Sequence, residues 1–207
     1  MPSKRTIHVF IASPGDLAVE RRAFKEVIDE LNVGFGDGAG VEFVGLGWED
    51  TLATTGRRSQ AVINRDIDRS DVFVLTLNRR WGQPAPDAEP FTSYTEEEFH
   101  RAMDRWKKTG SPEIFVFFKH VDPASMADPG EQLAKVLKFR RELEASRMVL
   151  YHLFADEKEF NTEIDKHLRA YAKGELPSAD AEREQIVLPI EYVERVERAE
   201  ADAKKRA

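Results

Sequence analysis

Cysteine is absent from the 207 residues, which excludes disulfides, thiolate metal sites and a cysteine nucleophile. A long apolar run is also missing, because the run after the basic start covers only Ile7–Ala12, too short for a signal peptide or a membrane span. Bases are outnumbered by acids, 31 to 38, and the net charge of −7 disfavours a broad nucleic-acid-binding surface. We therefore expect a soluble, cytoplasmic protein that binds neither nucleic acid nor membrane.

Short apolar segments alternate with segments of helical periodicity. The apolar segments predict strands at Ile7–Ala12, Val41–Leu46, Asp71–Leu77, Ile114–Phe118 and Met148–Phe154. The intervening spacing predicts helices around Leu17–Leu31, Ala61–Ile67, Phe99–Trp106 and Leu133–Leu143, and a final helix over Glu157–Ala172. This alternation predicts an α/β fold: a flavodoxin-like, three-layer sandwich with a five-stranded parallel sheet and helices on both faces.

The composition changes after Gly174. Leu176-Pro177-Ser178 is typical of a boundary, and the chain from Ser178 to Ala207 is charged, rich in alanine and interrupted by Pro189. We therefore predict an α/β domain over residues 1–176 and a charged helical tail or linker over residues 177–207.

Polar clusters follow successive predicted strands. Ligands of open parallel sheets bind outside the carboxyl ends of the strands, near the point where the strand order reverses. The clusters are Ser13–Asp16, Gly47–Asp50 with the following Thr51–Gly56 loop, Asn78–Gly82, and Ser93–Glu98 at the start of the next helix. We expect all of them to meet in one nucleotide-sized site.

Two of the turns have simple structural interpretations. Pro14-Gly15 predicts a tight turn with Asp16 as the N-cap of the next helix, although such a turn can also direct N–H groups at a phosphate. The glycine-rich segment Gly34–Gly40 follows a helix and precedes a strand, the reverse of a nucleotide-binding loop. It predicts a surface loop at the opposite end of the sheet.

Aromatic and basic residues beside the strand ends leave two interpretations open. Trp48 and Trp81 could pack at the rim of the sheet or stack on a base or nicotinamide ring. Arg79 or Arg80 could pair with phosphate.

Helical geometry separates the three consecutive glutamates. Relative to the apolar face of their helix, Glu97 is predicted to point into water, whereas Glu96 and Glu98 lie at the borders of the buried face. Thr95–Glu98 also fits a capping box with Thr95 as N-cap, so a purely structural role for Glu98 remains open.

The histidines are scattered and predict no metal site. Glu96, His100 and Asp104 have helical ligand spacing, but no further ligands accompany them in a recognisable pattern. We interpret this triplet as a solvated helix edge.

Several of these segments together resemble one protein family. The run from Val9 to Leu17 with Glu20-Arg21 resembles the opening signature of an uncharacterised TIR-like family, found at the N-termini of STAND or NACHT-type NTPases in bacterial defence systems and some animal proteins. The match continues through Trp48-Glu-Asp, Gln60, Ile63, Asp71-Val-Phe-Val, Arg80-Trp-Gly and Thr95–Phe99 with Ala102. It covers about Ile7 to Val121.

The resemblance implies an activity. TIR domains that cleave NAD carry a glutamate at the start of a helix, in a pattern to which Glu98-Phe-His-Arg-Ala102 is similar. It implies an NAD+ nucleosidase with Glu98 at the ribose, with NAD as substrate and neither cofactor nor metal. The residues expected around the substrate are Ser13, Gly15, Asp16, Trp48, Arg80, Trp81 and Thr95.

The resemblance also implies self-association and a larger sensor or partner protein. Two other functions fit the same residues. One is a catalytically inactive interaction module, and the other is an enzyme similar to nucleoside deoxyribosyltransferases.

Overall fold

The computed structural model describes residues 4–50 and 59–176, apart from the side chains of Asp50 and Ser59. The predicted tail at residues 177–207 and the Thr51–Gly56 loop lie outside the described residues.

Five parallel strands form one sheet in the order β2-β1-β3-β4-β5. Their bounds are β1 Arg5–Ala12, β2 Val41–Gly47, β3 Val72–Leu77, β4 Glu113–Lys119 and β5 Tyr151–Phe154. The predicted flavodoxin-like sheet is therefore confirmed. The last strand is shorter than predicted, because Met148–Leu150 precede it outside the sheet, with Met148 and Leu150 exposed and Val149 half-buried against the core.

Helices cover both faces of the sheet. They are α1 Ala18–Leu31, α2 Asp37–Ala39, α3 Ser59–Arg69, α4 Tyr94–Thr109, α5 Pro123–Ala127, α6 Glu131–Ser146 and α7 Glu157–Lys173. Residues of α3, α4 and α6 share one apolar cluster with Phe10, Phe73 and Phe118 of the sheet. On the other face α1 packs on α7, and Phe160 of α7 meets Phe117 of β4. All six residues of β3 are buried as a result, as a central parallel strand requires.

The glycine-rich segment lies where the sequence predicts but is helical rather than a loop. Asn32–Gly36 forms a π-helical turn that continues into α2, and the carbonyl of Gly40 accepts a hydrogen bond from the amide of Arg5 at the amino end of β1. The side-chain amide of Asn32 exchanges two hydrogen bonds of 2.8 Å with the backbone of Phe43. At Gly36 a β-carbon would lie 2.7 Å from the carbonyl of Val41, so glycine permits this close approach.

Among the described helices, none combines the length and the apolar character needed to cross a membrane.

Candidate active site

The strand order reverses between β1 and β3, and the loops that follow these strands open at the carboxyl edge of the sheet. Helices α3 and α4 both begin at this edge, pack against one another and contact β1. Ligands of such sheets bind in the crevice at the reversal point, which is flanked here by the loops after β1 and β3 and by the starts of α3 and α4.

Helix α4 begins with a cap that does not involve Glu98. Ser93 is the N-cap, and its hydroxyl accepts a hydrogen bond of 3.1 Å from the amide of Glu96. The Glu96 carboxylate turns back to the amide and hydroxyl of Thr92, at 2.6 and 2.8 Å. The interpretation of Thr95 as N-cap with Glu98 closing the box is wrong, because the helix starts two residues earlier than that box requires.

Glu98 lies instead between α4 and α3. Its side chain is buried, with the residue 7% exposed, and Gln60 Nε2 donates a 2.9 Å hydrogen bond to its Oε1. Burial raises the pKa of Glu98 from 4.5 to about 7, opposed by the Gln60 hydrogen bond and reinforced by the charge of Glu97. Near neutral pH this carboxyl group therefore exchanges readily between its two protonation states.

Glu97 is also buried, which corrects the prediction that it points into water. It is 9% exposed, and its carboxylate accepts a 3.0 Å hydrogen bond from Asn64 Nδ2. Gln60 and Asn64 are four residues apart and so lie on the same face of α3, opposite the two glutamates. The helical periodicity of α4 shows which face packs on the sheet. It does not show that α3 covers the adjacent face, which carries Glu97 and Glu98.

A buried arginine organises the loop after β1. Arg21 Nη1 donates to the hydroxyl of Ser13 at 3.0 Å and to the carbonyl of Pro14 at 2.8 Å. Its Nε donates to Glu49 at 3.0 Å, and its guanidinium lies 5.5 Å from the ring centre of Trp48. Arg21 thus joins the first two strand-end clusters. The sequence contains it only as part of the Glu20-Arg21 motif, without indicating this role.

A second, partly buried ion pair crosses the same edge. Glu20 of α1 is fully enclosed and accepts a 2.6 Å hydrogen bond from the Nζ of Lys119, the last residue of β4. The pair connects residues 99 positions apart and holds the start of α1 against the end of β4.

Asp16 bridges the two loops at the reversal point and is not a helix cap. Its Oδ2 accepts hydrogen bonds from the amides of Arg79 and Arg80, at 3.1 and 3.2 Å. The turn at Gly15–Leu17 has Pro14 at its N-cap position, without a side-chain cap. The two amides of the β3 loop are therefore occupied by a carboxylate and not available to a phosphate.

This bridge gives a stability prediction. Replacing Asp16 with alanine leaves two loop amides without their acceptor, and we expect the free energy of unfolding to fall by roughly 1–3 kcal/mol. Asp16→Asn keeps one acceptor oxygen and is expected to lose less. Urea denaturation of the two variants checks this, and equal stability of Asp16→Ala and the unmutated chain would contradict the bridging role.

The two tryptophans have different environments. Trp48 is 49% exposed, so its indole ring can contact a ligand. Trp81 is buried: its indole N–H donates to the Thr92 hydroxyl at 2.9 Å and its ring lies 5.1 Å from that of Phe139. Trp81 packs in the core, and the prediction that it stacks on a base is not supported by this position. In the sequence Trp81 is only an aromatic residue that follows a strand, and this pattern does not show whether the ring lies at the rim of the sheet or in the core.

The other predicted residues divide in the same way. Gly15 and Arg80 are exposed at the carboxyl edge, with open space around the α-carbon of Gly15. Thr95 is buried behind Gly82, where φ is 130° and a β-carbon would lie 2.8 Å from the Thr95 hydroxyl. Thr95 therefore fixes the β3 loop from within.

The Glu98 environment carries no metal-ligand cluster among the described residues. In the triplet with helical spacing, Glu96 binds Thr92 and the ring of His100 stacks on Phe91. The described residues do contain one trio with suitable spacing, His152, Glu163 and His167, on β5 and α7. It lies on the face of the sheet opposite α3 and α4.

Comparison with known proteins gives one family match. No curated protein matches the chain. Among solved structures the chain is similar to the TIR domains in the structure of the activated Roq1 resistosome directly recognizing the pathogen effector XopQ, at 16% identity and a TM-score of 0.48, over 78% of this chain and 99% of that one. The model of the DUF4062 family, described as a domain of unknown function, matches residues 8–169. This match spans most of the sequence, and the chain belongs to the DUF4062 family.

Proposed function

We propose that this domain hydrolyses the N-glycosidic bond of NAD+, with Glu98 as the catalytic carboxylate. The observation that carries the proposal is the state of Glu98. It is an enclosed carboxyl group with a pKa of about 7, on a helix that begins at the crevice where the strand order reverses. Shifted carboxyl groups in such positions are typical of active sites.

The reaction suits a single carboxylate. The nicotinamide ring nitrogen of NAD+ is cationic, so when the bond to ribose C1′ breaks, the ring takes the electron pair and leaves as neutral nicotinamide. The ribose becomes oxocarbenium-like, and an ionised carboxylate beside it stabilises that charge. Water then adds to C1′ and loses one proton, which Glu98 can accept as general base. The products are ADP-ribose, nicotinamide and one proton.

Gln60 is proposed as the positioning residue of this carboxylate. Its side-chain amide holds Oε1 of Glu98 at 2.9 Å, which fixes the orientation of the carboxyl plane. The other oxygen is the one that we assign to the ribose. Asn64 holds Glu97 in the same way, so α3 supports both acids from one face.

The loops around the crevice are proposed to bind the rest of the substrate. The exposed ring of Trp48 can stack on adenine or nicotinamide, and Arg21 behind it keeps that ring in place. Exposed Arg80 can pair with the pyrophosphate, and the open backbone at Gly15 can approach it, while buried Ser13 is held beside it by Arg21. Asp16 and Thr95 shape these loops.

The resemblance of the sequence to TIR-like domains of large sensors suggests that activity depends on assembly. We propose that the domain acts when it is assembled with other copies, through a larger sensor region or a partner. Activity is therefore to be measured on the purified chain alone and on the same chain fused to an oligomer-forming protein.

The proposal predicts how the rate depends on pH. Catalysis needs ionised Glu98, so kcat/KM for nicotinamide release is expected to rise about tenfold per pH unit below pH 6 and to level off above a pKa of about 7. Nicotinamide and ADP-ribose are quantified by chromatography between pH 5 and 9, with circular dichroism as the check of folding. No product from either form of the protein, or a rate that falls as the pH rises from 5 to 7, would overturn the proposal.

A further inference from the structure

His152, Glu163 and His167 bring three metal-binding groups together on the α7 side of the sheet. One ring nitrogen of each histidine and a carboxylate oxygen of Glu163 lie within 4.8 Å of one another. Glu163 and His167 are four residues apart on α7, so both point from one face of that helix. His152 comes from β5, which pairs only with β4 among the described strands.

The ligand atoms of the three residues lie close enough together to bind one metal ion. Nδ1 of His152 lies 3.8 Å from Oε2 of Glu163, and each of the three residues offers a ligand atom within 4.8 Å of those of the other two. The separation of 3.8 Å is too long for a hydrogen bond. Ligands of one tetrahedral ion lie about 3.4 Å apart when each bond is about 2.0–2.1 Å. His152 is half-exposed, so its ring has room to rotate toward this separation.

The surroundings hold the histidines in place. Nδ1 of His167 lies 2.7 Å from the carbonyl oxygen of Glu163, and because a carbonyl only accepts, Nδ1 carries the proton and Nε2 keeps its lone pair. Histidines that bind metals commonly donate their other N–H in this way. The His167 ring also meets the edges or faces of Phe115 and Phe117, with ring centres 4.9 and 5.4 Å away.

We propose that His152, Glu163 and His167 form a binding site for a divalent transition metal ion of the Zn2+ class, which joins the edge strand β5 to α7. Two imidazoles and one carboxylate suit Zn2+, and solvent can supply the remaining position because His152 is 44% exposed. Lys166 Nζ lies 3.3 Å from Oε2 of Glu163 but is itself exposed, and such surface pairs contribute little stability, so an ion displaces it readily. This site is independent of the proposed NAD+ hydrolysis.

The metal ion would act as a clamp. β5 is a strand of four residues at the edge of the sheet, and the ion would tie it to α7, which packs on α1. Ligands that bind only the folded state raise its stability in proportion to the logarithm of their concentration. Zn2+ at a hundredfold its Kd is expected to raise Tm by about 5 °C or more.

The test uses the full chain, freed of metal with a chelator and titrated with ZnCl2 by calorimetry. We expect one ion per chain with a Kd at or below about 10 µM. His152→Gln, Glu163→Gln and His167→Gln are each expected to weaken binding at least about tenfold. His100→Gln, on α4 at the other face of the sheet, is the matched control and is expected to bind as the unmutated chain does. Co2+ supplies a second readout, because its visible absorption reports the ligands directly.

Two results would overturn the site. One is a Kd for Zn2+ weaker than about 10 µM in the folded chain, far from the affinity of structural zinc sites. The other is equal binding by the three ligand variants and the His100→Gln control. Circular dichroism of the metal-free variants keeps these outcomes separate from misfolding, and His152→Gln at an exposed position on the edge strand is the variant least disturbing to the fold.

Discussion

Replacing Glu98 with glutamine is expected to stabilise the domain by up to roughly 3 kcal/mol at pH 8 and to change its stability little at pH 4. The pKa of Glu98 is raised from 4.5 to about 7 by burial, so between these values the folded state binds more protons than the unfolded chain. Stability of the unmutated domain therefore falls as the pH rises through this window. Glutamine is neutral at every pH and retains an oxygen that can accept the hydrogen bond from Gln60.

Urea denaturation at pH 4, 6 and 8 measures this difference. Glu30→Gln, at an exposed position of α1, is the control for removing one carboxylate from the surface. A Glu98→Gln variant that is equally or less stable than the unmutated domain at pH 8 would contradict the raised pKa. A gain in stability would mean that this carboxylate is kept at a cost to the fold, as is common for catalytic groups.

The sheet could be predicted from the sequence because its buried strands are short apolar segments that stand out from the polar chain around them. Val72–Leu77 is apolar at every position but Thr76, is half β-branched, and is buried throughout. The parallel sheet and the carboxyl-edge location of the polar loops followed from the strand–helix alternation, whereas the strand order came only from the structure. Met148–Leu150 were wrongly included in β5, since apolar residues occur in loops as well as in strands.

The candidate site was less predictable because its contacts join residues distant in sequence. Glu98 could be selected by its resemblance to a family pattern, but Glu97 was assigned to water, since only the packing of α3 reveals that both acids are covered. Asp16 was read as a local cap, yet its partners lie 63 and 64 residues away. His152 could not be joined to Glu163 and His167 without the pairing of β5, although the spacing of the latter two is visible in the sequence. The sensor context implied by the motifs stays a prediction.

Glu98→Gln is also expected to lower the rate of NAD+ cleavage at least about a hundredfold while the protein stays folded. The amide has the size of the carboxyl group and can keep the Gln60 contact, but it has no charge to offset the developing positive charge at ribose C1′. It also cannot accept the proton of the attacking water. The loss is expected in kcat more than in KM, because the missing interaction belongs to the transition state.

Glu113→Gln is the matched control for this loss. Glu113 is the first residue of β4, half-buried, and burial raises its pKa as well, but it lies at the amino edge of the sheet, away from the crevice. A general effect of removing a buried acid would therefore appear in both variants. A loss of rate in Glu98→Gln but not in Glu113→Gln therefore indicates a role for Glu98 at the carboxyl edge.

The most direct measurement of the central claim is the rate of nicotinamide release from NAD+ at pH 8 by three proteins in the same assembled form: the unmutated chain, Glu98→Gln and Glu113→Gln. If Glu98 is the catalytic carboxylate, the unmutated chain and Glu113→Gln release nicotinamide at similar rates and Glu98→Gln releases at least about a hundredfold less. Full turnover by a folded Glu98→Gln, or no release by the unmutated chain in any assembled form, would contradict the account.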